Sequence, residues 1–449
     1  MFEGSWRPAV AVREDEALAR EIADRLPPAA SLPPISVTSL VAPRPAYWRA
    51  IAVVPVAPER RERLDLGREM HRRLASGLSA EGAIEVRVRR DEWVGRMDAL
   101  SDVPVEVKTG SSLPSVNDLV SARAEPVEQL AMYCTLADRP RGRLVTIALR
   151  EAKVEAVQVL DLAFESLPRV REEMQARSRA LRSAWRDQTP RGLPRCRWFD
   201  RGCDVRAAGV CDCTGTEPEL APTIGECLAG VTDREEASRE LRARLDAAPP
   251  HPTDRVIDGF RDLLYPRRAY FDRTVGPSVP ERPFRSPNDP IDLYGRLAAA
   301  TESGPIGEAA GIPLASPEPD QDVGGFRGTP YLLRTSRARD RPTSQTLSES
   351  QPQYALELGL RCVATGTTSA RLFLGWERAT DDRERVGAFE FRFDPISAFS
   401  RLWRERRRAL RTALAATDPR GLPACPAWMV PDCPYRDRCG CGDPPRSQR

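Results

Sequence analysis

The sequence predicts an α/β protein built from two tandem copies of one unit, each closed by a four-cysteine module. Three observations carry that expectation. Residues 84–90, 93–98 and 103–109 alternate apolar and polar side chains like half-buried strands, between helical patterns at 59–78 and 126–137. Short words also recur along the chain: Arg191-Gly192-Leu193-Pro194-Arg195-Cys196 returns 229 residues later as Arg420-Gly421-Leu422-Pro423-Ala424-Cys425. Finally, eight of the eleven cysteines fall into two tight groups: Cys196, Cys203, Cys211 and Cys213, then Cys425, Cys433, Cys439 and Cys441.

The repeat extends through both halves. Ala180-Leu181-Arg182 matches Ala409-Leu410-Arg411 at the same offset of 229, while Arg143-Leu144 and Cys134 match Arg371-Leu372 and Cys362 at 228. Pro43-Arg44-Pro45-Ala46-Tyr47-Trp48 matches Pro266-Arg267-Arg268-Ala269-Tyr270-Phe271 at 223. A drift this slow is what small loop insertions leave in a duplicated unit. The expected halves are 1–224 and 225–449, with cysteine modules at 196–213 and 425–441. They join within 214–252, which holds a helical pattern at 233–247 and ends in Pro249-Pro250-His251-Pro252.

Within the first copy the elements follow in order. The charged, Leu-spaced segment 59–78 reads as a helix carrying Gly67 and His71. Three strands come next; in the third, Val103, Val105 and Val107 face the core and leave Glu106 and Lys108 together on the other face. Pro126 opens a helix in its first turn, and Gln129 and Tyr133, four apart, share one side of it. Strands at 144–149 and 154–162 and a long amphipathic helix at 167–187 lead into the first cysteine group.

Composition bounds the function classes. Lys plus Arg is 68 against 65 for Asp plus Glu, a net charge of +3, so a nucleic-acid partner would have to meet a local arginine surface and not a bulk field. The N-terminal segment lacks the apolar core of a leader, and no run approaches the roughly 20 apolar residues of a membrane span. A cytoplasmic protein without membrane contact is expected. In that setting, clustered cysteines argue for metal or cluster ligation over disulfides.

The chemistry centres on one strand. Lysine occurs only at positions 108 and 153, so Lys108 is not filler in a chain whose other basic residues are almost all arginine. Asp98, then Glu106-x-Lys108, supplies two carboxylates for a hard divalent cation and an amine that can orient or polarise an attacking water. The second half serves as an internal control. There Glu106 aligns with Leu332, Lys108 with Arg334, Asp98 near Arg327, His71 with Ala298 or Ala299, and Gln129 and Tyr133 with Glu357 and Arg361. Without its carboxylates the second copy should be catalytically dead.

Taken together, the helix Gly67-Arg68-Glu69-Met70-His71, Gly95-x-x-Asp98, Glu106-x-Lys108 and Gln129-x-x-x-Tyr133 resemble the PD-(D/E)XK nuclease superfamily, in its RecB-type branch. The resemblance implies two tandem PD-(D/E)XK-like αβββαβ units, the second degenerate. It implies that His71, Asp98 and Glu106 bind Mg²⁺ or Mn²⁺ with a backbone carbonyl near Val107, that Lys108 positions water, and that Gln129 and Tyr133 act on the scissile phosphate. The function so implied is a divalent-metal-dependent deoxyribonuclease, an exonuclease on single-stranded or frayed DNA, in DNA repair or CRISPR adaptation with proteins of those pathways as partners. A non-catalytic nucleic-acid-binding or assembly subunit, and an RNA-directed nuclease, are the alternatives.

The cysteines run C-x6-C-x7-C-x-C and C-x7-C-x5-C-x-C, and four thiolates suit either a [4Fe–4S] cluster or tetrahedral zinc. Their irregular spacing fits zinc ribbons poorly. The resemblance extends to the CRISPR-associated exonuclease family, in which C-terminal cysteines close the nuclease unit on a cluster. An upstream cysteine of that family is replaced here by Val41-Ala42-Pro43, so all four ligands would come from the C-terminal end. Iron–sulfur is the favoured reading and zinc the alternative. Retention of the cysteines in the degenerate half fits a scaffold role. Cys134, Cys227 and Cys362 read as ordinary buried or linker thiols.

Overall fold

Alternating apolar residues build two mixed β-sheets flanked by helices, so the chain is a mixed α/β protein. In a computed structural model of the chain, the described residues are 10–51, 66–67, 70, 83–117, 119–122, 124–150, 153–195, 203–218, 220, 223–247, 263–274, 291–302, 325–337, 341–379, 381–425, 433, 435–439 and 441. The strands are β1 (Val10–Glu14), β2 (Ile35–Ser36), β3 (Ala83–Arg90), β4 (Trp93–Leu100), β5 (Pro104–Gly110) and β6 (Arg141–Arg150). They continue as β7 (Lys153–Phe164), β8 (Leu228–Asp233), β9 (Gly325–Phe326), β10 (Thr329–Ser336), β11 (Ser369–Trp376) and β12 (Val386–Phe393). The principal helices are α1 (Glu16–Asp24), α2 (Ala124–Ala137), α3 (Leu167–Arg186), α4 (Glu235–Ala247), α5 (Leu293–Glu302), α6 (Pro352–Thr365) and α7 (Ser397–Ala416).

Two compact units share these elements. The first comprises Arg25–Pro249 and Phe284–Pro313; the second comprises Met1–Asp24, Pro250–Pro283 and Leu314–Arg449. These spans differ from the expected halves 1–224 and 225–449. The strand–helix pair that opens each half in sequence is built into the unit formed mostly by the other half. β8 pairs antiparallel with β7, at Leu162 opposite Val231, and α4 packs on β7. Likewise β1 pairs antiparallel with β12, at Phe391 opposite Val12, and α1 packs on β12. β8 had no counterpart among the expected strands.

Otherwise the two sheets repeat one plan. In the first unit the order is β2-β4-β5-β6-β7-β8, with β3 also on β4; in the second it is β9-β10-β11-β12-β1. β5 and β6 run parallel with Glu106 opposite Leu144, and β10 and β11 run parallel with Leu332 opposite Leu372. β6 and β7 are antiparallel with Leu144 opposite Leu160, and β11 and β12 are antiparallel with Leu372 opposite Phe389. The register thus reproduces the sequence offsets.

Helices α2 and α3 cover one face of the first sheet through Val127, Leu130, Tyr133, Val170, Met174 and Leu181, all buried. On the other face Met70, Val105, Val107, Val145 and Ile147 pack with Leu241 and Leu245 of α4. In the second unit α6 and α7 bury Leu356, Leu358, Leu360, Phe399 and Leu402 against Leu332, Leu372 and Phe391. Their approach is close: a Cβ on Gly359 of α6 would lie 2.2 Å from the Phe399 ring of α7, so no larger side chain fits there.

Two buried arginines recur with the same task. The Nη1 of Arg177 on α3 donates to the Leu40 carbonyl at 3.2 Å; that of Arg406 on α7 donates to Leu263 and Leu264 at 2.8 and 3.0 Å. Arg44 donates to the carbonyls of Leu193 at 2.9 Å and Pro194 at 3.3 Å. Its counterpart Arg267 donates to Leu422 at 2.7 Å and Cys439 at 2.9 Å. The repeated Arg-Gly-Leu-Pro word is therefore a set of carbonyls gripped by a guanidinium, whose several donors suit it to bridging chain segments.

Candidate active site

Strand β5 presents Glu106 and Lys108 toward α2, while Val105 and Val107 enter the opposite hydrophobic cluster, as strand periodicity requires. Asp98 comes from β4. The β4–β5 ladder is short, with Ala99 opposite Val105 and Leu100 opposite Pro104. Beyond it, the Val107 N–H donates to Asp98 Oδ2 at 2.6 Å, so the carboxylate satisfies a backbone group next to Glu106 and Lys108.

A polar relay ties these strands to α2. Lys108 Nζ forms an ion pair with Glu106 and donates to Gln129 Oε1 at 3.0 Å. Gln129 Nε2 donates to the Tyr133 hydroxyl at 3.0 Å, which donates to the Arg96 carbonyl on β4 at 2.8 Å. The ammonium has no acceptor, so it fixes the amide with its oxygen toward Lys108 and its nitrogen toward Tyr133. Gly95 makes room for this arrangement: a Cβ there would lie 2.7 Å from the Tyr133 ring. The glycine of the Gly95-x-x-Asp98 motif is thus a steric requirement of the tyrosine.

Glu106, Gln129 and Tyr133 are buried, whereas the Lys108 side chain keeps 33% of its surface exposed. Burial pulls the Lys108 ammonium down, but Glu106, Asp98 and Glu125 together outweigh it and leave the amine above its ordinary value. Burial pushes the Tyr133 phenol up, and the charges of Glu106 and Asp98 push it further. Lys108 is therefore a cation and Tyr133 a neutral hydrogen-bond donor at ordinary pH.

The structure brings Asp98, Glu106, Lys108, Gln129 and Tyr133 into one cluster. His71 lies outside the described residues. Its neighbours on the same segment are informative: Met70 is buried beside Val105 and Val107, and a Cβ on Gly67 would sit 3.3 Å from Thr109 Oγ1. Gly67 and Met70 therefore lie beside β5.

The second unit fills the matching positions differently. Leu332 is buried in the apolar cluster. Arg334 pairs with Glu357 at 2.6 Å, and Arg361 pairs with the other oxygen of Glu357 at 3.0 Å while donating to the Tyr331 carbonyl at 3.2 Å. Arg327 is not the counterpart of Asp98. It occupies the turn between β9 and β10 at φ 51° and pairs with Glu21. Strand pairing sets Gly325 opposite Pro330, as Leu100 is opposite Pro104, so the true counterpart precedes Gly325 and lies outside the described residues. Ala298 and Ala299, aligned with His71, sit on α5, which belongs to the first unit and packs on β3.

The ten described cysteines form no disulfide. Cys134, Cys227 and Cys362 are buried, as expected of packing thiols. Cys196 lies outside the described residues. Cys203 and Cys213 are buried near Cys211, whose thiol is raised by burial and by the neighbouring thiols. Cys213 donates to Glu217 at 3.2 Å, and Glu217 also accepts from the N–H groups of Thr214 and Gly215; these bonds overcome burial and hold its carboxyl down to about 2. In the second group, burial with Cys441 and Cys433 pushes the Cys425 thiol up to about 12. Burial and the same neighbours push Cys439 to about 11. The Cys425 N–H reaches Cys441 Sγ at 3.4 Å. These thiols are neighbours without forming an assembled ligand set: among the described residues no three or more His, Cys, Asp or Glu side chains form a metal-binding group.

The structural roles of Gly95, Arg44, Arg267 and Glu217 are not legible in the sequence. The first three stand inside words singled out there, as part of a motif or of a repeat. Glu217 gave no signal beyond lying four residues after Cys213. Among the described residues no helix is long and apolar enough to cross a membrane. No protein-family model matches the chain, and no curated protein matches it significantly. Among solved structures, the crystal structure of SSO0001 is similar at 19% sequence identity over 43% of this chain and 94% of that one, with a TM-score of 0.30, too low to carry an argument.

Proposed function

We propose that the first unit is a divalent-metal-dependent deoxyribonuclease of the PD-(D/E)XK type acting on single-stranded or frayed DNA, and that the second is its degenerate copy. The observation that carries this reading is the single cluster of Asp98, Glu106 and Lys108, held by Gln129 and Tyr133. The donor set fits a hard cation: two carboxylates on neighbouring strands, one of them buried, both close enough to act on the Lys108 amine. Asp98 and Glu106 would hold Mg²⁺ or Mn²⁺, with His71 as third ligand. The ion would supply positive charge at the phosphate and acidity for water.

Lys108 does the rest of the positioning. Its charged amine, fixed by Glu106 and Gln129, holds the attacking water or a non-bridging phosphate oxygen at the exposed edge of the cluster. Tyr133 locks Gln129, and Gln129 locks the amine, so little reorganisation remains when substrate arrives. The two cysteine modules are read as structural [4Fe–4S] sites, with zinc as the other candidate, on their recurring four-thiol spacing alone. DNA repair or CRISPR adaptation is the proposed setting.

The test is cleavage of 5′- and 3′-labelled single-stranded DNA with Mn²⁺, with RNA of the same sequence alongside. Wild type should cut, and Lys108→Ala should lose about 10²-fold or more, the range for a positioned proton-handling group. Equal rates for the two proteins would sink the reading.

A further inference from the structure

We infer that the outward face of α7 in the second unit is a docking surface for the phosphate backbone of DNA, carried by Arg401, Arg404 and Arg408. All three arginines are exposed, and their spacing of three and four residues sets them in one stripe along the helix. The inner face is occupied by folding: Phe399, Leu402, Trp403 and Leu410 are buried, and Arg406 holds the Leu263 and Leu264 carbonyls. The stripe has no such duty. Among the described residues, none of its three side chains makes a hydrogen bond or an ion pair.

Helix α3 of the first unit shows what folding alone asks of this surface. At the offset of 229 its counterparts are Glu172, Gln175 and Arg179, also exposed. Those three sum to no net charge, whereas the α7 stripe carries +3, or +2 with the half-buried Glu405 beside it. Both helices belong to one arginine-rich chain and both keep the buried arginine, Arg177 or Arg406. An arginine-rich composition therefore does not by itself produce the stripe. Helix stability does not ask for it either, because like charges three and four residues apart repel.

DNA is the partner this charge fits. At a rise of about 1.5 Å per residue the stripe is about 10.5 Å long, close to three steps of about 3.4 Å along one strand of a duplex. Guanidinium forks bond phosphate oxygens in pairs. A lipid surface fits poorly, since a helix lying on one buries an apolar face in it, and α7 keeps its apolar face in the core.

The measurement is fluorescence anisotropy of a labelled 20-base-pair DNA duplex with the full-length protein in EDTA, over a salt series. Cleavage plays no part there, so the nuclease reading and this inference fail separately. The double variant Arg401→Glu, Arg404→Gln gives α7 the residues of α3, both good helix formers, and its thermal midpoint should match wild type. Its affinity should fall about tenfold or more, and the slope of log K against log salt should lessen by about 1.8. Arg408→Gln alone should lessen the slope by about 0.9. Arg420→Gln is the control: it removes an exposed charge from the same unit, but one paired with Asp418 at 2.7 Å, and should bind like wild type. Phosphatidylserine vesicles should not be held by wild type. Unchanged slope in the double variant and in Arg408→Gln, an equal loss in Arg420→Gln, stripe-dependent binding of vesicles without binding of the duplex, or no binding of the duplex by wild type would overturn the inference.

Discussion

At matching strand positions Glu106 stands beside Lys108 in the first unit and Leu332 beside Arg334 in the second, opposite Leu144 and Thr146, and Leu372 and Leu374, respectively. Around them much is held constant: Pro104 and Pro330 at the start of the strand, Arg177 and Arg406 on the long helix, Arg44 and Arg267 on the carbonyl clamp. A buried charge is costly unless paired, so each unit had to close its polar set by itself. The first closes it with a relay through Gln129 and Tyr133, the second with two arginines on Glu357. What both units keep serves folding; what they do not share is where chemistry is to be sought.

The largest effect should come from removing the strand–helix arm of the second unit. Removing residues 1–24 takes away β1 and α1, which bury Leu18 and Ile22 and cover the edge of β12, all within the second unit. At about 1.5–3 kcal/mol for each large aliphatic side chain, the loss is about 5 kcal/mol. Urea unfolding followed by hydrogen exchange should show β10–β12 losing protection while β5 and β6 keep theirs. Equal loss in both units would mean the arm does not belong to the second unit alone.

Next in size is Glu106→Leu, which gives the first unit the second unit's own residue. Leu332 already fills that register, so the fold should persist with a thermal midpoint within a few degrees of wild type. Cleavage of single-stranded DNA should nevertheless fall about 10³-fold, as expected when one carboxylate is lost from a charged catalytic cluster. Retained cleavage at full rate would break the contrast between the units.

Arg44→Ala and Arg267→Ala probe what the units share. Each removes a guanidinium that bonds two or more carbonyls and leaves those carbonyls without it, a cost of about 3 kcal/mol. Each should loosen its own cysteine loop: exchange of the Leu193 and Arg195 amides rises in the first variant, and that of Leu422 in the second. If both variants loosen the same loop, the clamps are not equivalent.

Much of this was legible in the sequence. The strands expected at 93–98, 144–149 and 154–162 appear as the longer β4, β6 and β7, and the one expected at 103–109 as β5, shifted by one residue, because period-two alternation fades where strand ends become polar. Three of the five clustered residues share short motifs on two strands, and one helical turn supplied Gln129 and Tyr133. The exchanged arms were hidden because their partners lie far off in sequence: Arg13 faces Glu390, 377 residues away. One signal did exist, since Glu16, Arg20 and Glu21 recur as Glu235, Arg239 and Glu240 at an offset of 219. Arg327 was set against Asp98 because a two-residue turn shifts the alignment where β9 is short, an error only strand pairing could reveal.

The smallest expected effect is also the most specific to the difference between lysine and arginine. Lys108 is raised above its ordinary value because Glu106, Asp98 and Glu125 outweigh burial. A group raised on folding adds stability that is fully present below its unfolded value, about 10.5, and is lost as pH climbs through the folded one. With a third of the side chain in solvent, that contribution is below about 1 kcal/mol. Glu106→Gln leaves burial, the largest single influence and a lowering one, less opposed, so Lys108 should titrate earlier. Amine-specific labelling of Lys108 at pH 9, read by mass spectrometry with Lys153 as internal reference, should be faster in Glu106→Gln than in wild type. Arg334→Lys in the second unit supplies the matched control, since its partner Glu357 is shared with Arg361 and so supports a lysine less strongly. Labelling at 334 in that variant should exceed labelling at 108 in wild type. If Lys108 reacts at the same rate with and without Glu106, the ion pair does not hold the amine, and the first unit's cluster loses the feature that most separates it from the second.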